Sequence, residues 1–212
     1  MKSLTRFAAA MLAAIFCLLV PAQATMFTPL ERSSKAASCG VERIEIKTLT
    51  DPTAGSVQMT PVQTTVENLR IIPIPPGYNR YDDSFRYPAE LHVYTVTAQI
   101  IGFKHESDRD FHIVIASPDN AAQTMIAEPP DPNCPLSQKS GHAAQFEAVR
   151  DTMVRCFGEP TTYFRRLSGH PIAVLTGVGY FDPLHGQTGV APNGIELHPL
   201  LSLTVLSGCF AP

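Results

Sequence analysis

The stretch Glu90 to Glu106, ELHVYTVTAQIIGFKHE, constrains the fold of this chain more than any other. It is rich in Val, Thr, Ile and Tyr, and its first half alternates apolar with polar residues, the period of a strand with one buried face. A strand this long in a small domain has to bend and serve two sheets, and Gly102 is the expected bulge or bend. SDRD then makes a tight turn before a second strand, FHIVIAS. Pro118-Asp119-Asn120 turns the chain again into a third strand, QTMIAE. After the rigid connection PPDPNCP, the segment GHAAQFEAVRDTMVRCF places Phe146, Val149, Met153, Val154 and Phe157 at helical spacing. Gly158 and Pro160 end that helix. PIAVLTGVGYFD and IELHPLLSLTVL read as a fourth and a fifth strand.

Three strands, a helix and two strands is the order of an OB-fold, a small five-stranded barrel with its helix between the third and fourth strands. The expected class is therefore mainly β, an OB-fold-like barrel over residues 89–212. An open α+β sheet is the competing arrangement. Residues 25–88 form an N-terminal extension packed on the barrel. Within it Val41 to Leu49, VERIEIKTL, alternates like a half-exposed strand. TTVENLRII reads as a short helix capped by Thr64 or Thr65 and stopped by IIPIPPG.

Residues 1–24 have the pattern of a secretory signal peptide: Lys2 and Arg6, an apolar run from Ala8 to Val20, and the small-x-small site Ala22-Gln23-Ala24. The expected location is secreted or periplasmic. No later segment is long and apolar enough to cross a bilayer as a helix. Cys39, Cys134, Cys156 and Cys209 follow the run, and an even count in an exported chain points to two disulfides. Of three pairings, Cys134–Cys156 and Cys39–Cys209 are favoured, one stapling a helix region and the other tying the chain ends. The formal net charge of −3 offers no global attraction for nucleic acid.

The polar chemistry is concentrated in two places. The loop between the first and second strands carries Glu106, Asp108, Arg109, Asp110 and His112. The loop between the fourth and fifth, FDPLHGQTGVAPNGIELHP, carries His185, Gln187, Asn193, Glu196 and His198. In an OB-fold these two loops flank the ligand face. Side chains two apart on a strand share a face, so Asp110 and His112 point one way together, as do Glu196 and His198. One reading is a divalent-metal site (Zn, Mg or Ca) on His112, His185, His198 and Asp110, with Glu196 able to complete it. A second is acid/base catalysis by His185, His198 and Glu196, for which phosphodiester cleavage is the natural chemistry and Arg109, Arg165 or Arg166 would hold the phosphate. Glu106, Asp108, Asn193, Gln187 and Arg109 are then binding residues. A third is that these groups only hydrogen-bond the loop to itself. The alternation of Glu106, Asp108 and Asp110 also resembles part of a calcium loop, without the full EF-hand pattern. Glu128 closes the third strand, where it would face the barrel mouth.

The blocks KHESDRDFHIVIAS, TMIAEPPDP and GVGYFDPLHGQTGVAPNGIELHPLLSL resemble a group of exported bacterial proteins over residues 41 to 206. Its members pair an E-x-D-x-D-x-H hairpin with a terminal H-G-Q-T-G…N-x-I-E-L-H-P block. The group has no established activity. The resemblance implies that Glu106, Asp108, Asp110, His112, His185, Asn193, Glu196 and His198 form one set, and assigns no role to any of them. The resulting expectation is an exported hydrolase, a metal-assisted phosphodiesterase or nuclease. The alternatives are a non-catalytic module binding an oligosaccharide, a nucleic acid or a protein, or a metal-stabilised structural protein. A small molecule or a nucleic acid is the expected partner.

Overall fold

A computed structural model of the chain describes residues 39–79 and 81–209. The signal-peptide reading of residues 1–24 and the rest of the lead up to residue 38 lie outside them. Seven strands form one sheet: β1 (Gln58–Thr64), β2 (His92–His105), β3 (Phe111–Ala116), β4 (Thr124–Ala127), β5 (Arg165–Arg166), β6 (Ile172–Phe181) and β7 (Ile195–Ser207). Among the described residues four α-helices accompany them, α1 (Ile44–Lys47), α2 (Val66–Arg70), α3 (Pro135–Lys139) and α4 (Ala143–Phe157), with two short 3-10 turns at Ala54–Ser56 and Pro88–Leu91. The protein is mainly β, and five strands close into a ring in the order β2-β3-β4-β7-β6, with β6 returning to β2. Every pairing in the ring is antiparallel except β4 with β7.

β2 is the long bent strand that the sequence demands. Its upper part pairs with β6 and its lower part with β3, and the register shifts between Ile100 and Gly102. A Cβ on Gly102 would stand 2.4 Å from the Arg165 carbonyl oxygen, so only glycine lets the short β5 approach there. The main core gathers Val96, Ala98, Ile100, Ile113, Ile115, Met125, Ala127, Leu175 and Leu197 from the strands, with Val149 and Met153 from α4. α4 presents these side chains because its apolar residues recur every three or four positions. Among the described residues no helix is long and apolar enough to cross a membrane.

Three sequence expectations differ from the structure. Val41 to Leu49 is not a strand: it contains the single-turn helix α1, preceded by Arg43 at φ 46. Arg43, Ile46 and Lys47 are all buried, and only a helical turn turns neighbours 46 and 47 inward together. Arg43 donates to Glu90 Oε1 and Oε2 at 2.6 and 2.7 Å, and Glu90 also accepts from the Tyr87 and Phe181 backbone N–H groups. Second, β1 was not foreseen; its Gln58–Thr64 segment pairs in parallel with β2. Third, the disulfides are Cys39–Cys134 and Cys156–Cys209, rather than Cys134–Cys156 and Cys39–Cys209. The reason is length. Cys134 precedes α3 and Cys156 lies near the end of α4, whose 15 residues extend about 22 Å along the axis. A disulfide needs Cα atoms within about 7 Å. Each end of the described region is therefore tied to one end of the helical region.

Candidate metal centre

Strand register brings three ionisable side chains into a row. Ile113 of β3 pairs with Ala127 of β4, so the next antiparallel pair is His112 and Glu128. Ala127 pairs in parallel with Leu197 of β7, which sets His198 beside Glu128 on the other side. The backbone continues this match: the Glu128 N–H donates to the Leu197 carbonyl at 3.0 Å, and the Glu128 carbonyl accepts from the Leu200 N–H at 2.9 Å. Because Ile113, Ala127 and Leu197 belong to the main core, the alternating His112, Glu128 and His198 point to the opposite face of the ring.

Three segments cover that face. Gly40, Val41, Ile44 and Lys47 form one wall of a cavity of about 450 Å³; Asp182, His185 and Gln187 form another; Glu106 and Asp108 from the β2–β3 hairpin form a third. His112, Glu128 and Glu196 complete it. The loop after β6 lies close because Gly189, at φ 82, has no Cβ; one there would be 2.4 Å from Val114 Cγ1.

The His112 ring is fixed by its partners. Its Nε2 lies 2.8 Å from the Thr188 carbonyl oxygen, which can only accept, so Nε2 carries the proton. Nδ1 lies 2.8 Å from Glu128 Oε1 and 3.4 Å from Glu106 Oε1. A neutral ring would aim its lone pair at two carboxylates. Either a second proton or a cation has to stand between them. Burial works against a charge on His112, but the hydrogen bond to Glu128 and the charge of Glu128 outweigh it and push the imidazole up to about 9.

Behind Glu128 the network continues. Glu128 Oε2 lies 3.2 Å from His198 Nδ1, His198 Nε2 lies 3.3 Å from Asp110 Oδ2, and Glu196 Oε2 is 3.9 Å from Nδ1. Burial alone would raise Glu128, yet its hydrogen bond with His112 and the nearby His198 imidazole hold it well below the usual carboxylate range. Burial and then the charges of Asp182 and Glu128 push Glu196 up to about 8. Burial, with Asp110 and Glu128 nearby, raises Asp108 to about 6.

Glu106, His112 and Glu128 offer ligand atoms within 4.8 Å of one another, and so do Asp110, Glu128 and His198. Either group is close enough to hold a cation. The first group opens to the cavity, since Glu106 is 29% exposed. Three protein ligands with an open side is the arrangement of catalytic zinc sites. Comparison with protein-family models, with curated proteins and with solved structures finds no match to this chain. What the site can do follows from its own atoms.

The structure brings together Glu106, Asp108, Asp110, His112, Glu196 and His198 from the two polar loops. It places the others elsewhere or in supporting positions. His185 stands at the rim, 54% exposed, with Nε2 3.3 Å from Asp182 Oδ2, outside both close groups. Gln187 donates to Asp182 Oδ2 and the Pro183 carbonyl at 2.6 and 2.8 Å and accepts from the His185 N–H, so its polar atoms hold the loop. Asn193 donates to the Leu69 and Ile72 carbonyls and accepts from the Ile195 N–H, fastening the loop to the end of α2. Arg109 pairs with Asp131 at 2.6 Å, Arg165 donates to the Phe157 carbonyl, and Arg166 lines a different depression. None of these three arginines lines the acidic cavity.

Sequence reasoning missed Lys47 and Asp182 and gave Glu128 no role. Lys47 Nζ lies 4.0 Å from Asp182 Oδ1 and 5.4 Å from the centre of the Tyr180 ring. Glu128 had one usable signal, its place at the end of a strand whose neighbours carry His112 and His198.

Proposed function

We propose that the protein is an exported, cation-dependent hydrolase centred on His112, Glu128 and Glu106, with phosphodiesters as its substrate class. One observation carries the reading: the Thr188 carbonyl fixes the proton of His112 on Nε2, leaving Nδ1 between two carboxylates at the floor of a cavity. A ring nitrogen that donates to a backbone carbonyl while the other faces carboxylates is the usual setting of a metal-bound histidine. A divalent ion held there supplies a Lewis acid and lowers the pKa of water.

The chain's own residues take the remaining roles. His198 is sealed from solvent, so it positions Glu128 and does not exchange protons with a substrate. His185, at the rim and oriented by Asp182, is the imidazole able to protonate a leaving oxygen. Lys47 sets a positive charge on the cavity wall. With Arg109, Arg165 and Arg166 elsewhere, the charge of a phosphate falls to the cation and Lys47. The strand order of the ring and the parallel β4–β7 pair support an OB-type barrel. Two disulfides and the pattern of residues 1–24 support export to an oxidising compartment.

A second reading is a cation-stabilised binding module. It is favoured by Gln187 and Asn193, which direct their polar atoms to backbone and loop instead of to the cavity. One experiment separates the two. Chelator-stripped protein is offered bis(p-nitrophenyl) phosphate, RNA and single- and double-stranded DNA, with and without Zn²⁺, Mn²⁺, Mg²⁺ or Ca²⁺. Cleavage that requires the cation and is lost in Glu128→Gln at unchanged Tm supports the hydrolase. A cation that raises Tm without any turnover supports the module. Cleavage that survives both the chelator and Glu128→Gln removes the proposed centre.

A further inference from the structure

Glu128 faces two histidines with two different oxygens. Oε1 lies 2.8 Å from His112 Nδ1, and Oε2 lies 3.2 Å from His198 Nδ1. Glu128 belongs to both close groups, one completed by Glu106 and the other by Asp110. A carboxylate placed in this way has the disposition of a bridging ligand.

The second group has the marks of a site in its own right. His198 is 0% exposed, and neither of its ring nitrogens makes a hydrogen bond of good geometry. The nearest carboxylate oxygens stand 3.2 and 3.3 Å away. Charge-assisted hydrogen bonds are shorter, about 2.7–2.9 Å. Asp110 is already oriented, since its Oδ1 accepts from the Asp131 N–H at 3.0 Å and leaves Oδ2 toward His198. Charge points the same way. Glu106, Asp110, Glu128, Asp182 and Glu196 converge on this region, where Lys47 lines the cavity and Lys104 pairs with Glu106 at 2.8 Å, so five carboxylates meet two lysines.

We propose that Glu128 bridges two divalent cations, one on Glu106 and His112 and the other on Asp110 and His198, so that the centre is dinuclear. This rests on the reading that the first group holds a cation. The second ion, held away from the cavity, would fix Glu128 and the first ion in place.

The test is to strip the full chain with chelator, load it with Mn²⁺, remove free metal by gel filtration, count bound manganese, and record its electron paramagnetic resonance. The expected result is two equivalents with an exchange-coupled spectrum, falling to one equivalent with an uncoupled six-line spectrum in Asp110→Asn. One equivalent on the wild-type chain overturns the dinuclear centre and leaves the mononuclear hydrolase standing. Two equivalents that persist in Asp110→Asn also overturn it, because the second ion is then elsewhere. No bound manganese overturns both readings. The count on the wild-type chain needs no variant, so a failure of Asp110→Asn to fold does not block the decision.

Discussion

Cys39 is bonded to Cys134 across 95 residues of sequence, and the residue after it, Gly40, packs against Asp108. A Cβ at Gly40 would stand 3.3 Å from Asp108 Cβ. The disulfide therefore pins the Gly40–Lys47 wall of the cavity to the end of the helical region. Replacing both cysteines by serine should lower stability by roughly 2–5 kcal/mol, the usual cost of losing a native disulfide. Cation affinity should fall with it. Urea unfolding and a Zn²⁺ titration measure the two effects, and an unchanged affinity would mean that this wall contributes nothing to the site.

The buried pair Arg43–Glu90 anchors the same wall from within. Both side chains are fully buried, and Glu90 also satisfies the Tyr87 and Phe181 backbone N–H groups. Glu90→Gln leaves the Arg43 charge without a counter-ion. Breaking a buried pair in this way costs about 3–5 kcal/mol. Urea unfolding of the variant should show a loss of that size, and a change under about 1 kcal/mol would contradict the described pairing.

Asn193 separates the loop's structural residues from its functional ones. Asn193→Ala removes two hydrogen bonds to backbone carbonyls and one from the Ile195 N–H. The cost should be roughly 1–3 kcal/mol, that of leaving buried polar groups unpaired. The number of bound cations should not change. A variant of normal stability that binds no cation would place Asn193 in the site after all.

How much of this was legible in the sequence differs from element to element. β2, β3, β4, β6, β7 and α4 were readable because each is long or regular enough for its period to be plain. α1 was not, because nine residues of alternation fit a strand, and the turn is stabilised by Arg43 and Lys47 reaching carboxylates distant in sequence. β1 gave no signal: it is exposed along nearly all its length and contains Pro61, so nothing alternates. The convergence of the two polar loops was legible from their places in the strand order, but their division of labour was not. Asn193 and Gln187 look like ligands in sequence and serve the loop in space. Glu128, Lys47 and Asp182 are isolated residues whose importance comes from register.

The pH dependence of cation binding follows from His112. In the cation-free protein its pKa is raised to about 9, chiefly by Glu128 acting against burial. A cation on Nδ1 has to displace that proton at neutral pH. Affinity should therefore rise about tenfold per pH unit from pH 7 and level off near 9, because binding releases a proton. The sign reverses for the stability of the stripped protein. A folded pKa above the unfolded value of about 6.5 gives stability that is complete below that value and is lost as pH rises through about 9. Calorimetric titration at several pH values and thermal melts in chelator check both trends. An affinity flat between pH 7 and 9 would contradict Nδ1 as a ligand.

The most direct measurement is anomalous diffraction from crystals grown with Zn²⁺ or Mn²⁺. The predicted result is a peak within about 2.0–2.2 Å of His112 Nδ1 and of carboxylate oxygens of Glu128 and Glu106. A crystal saturated with the cation in which His112 Nδ1 still hydrogen-bonds Glu128, with no peak between them, would contradict the account at its centre.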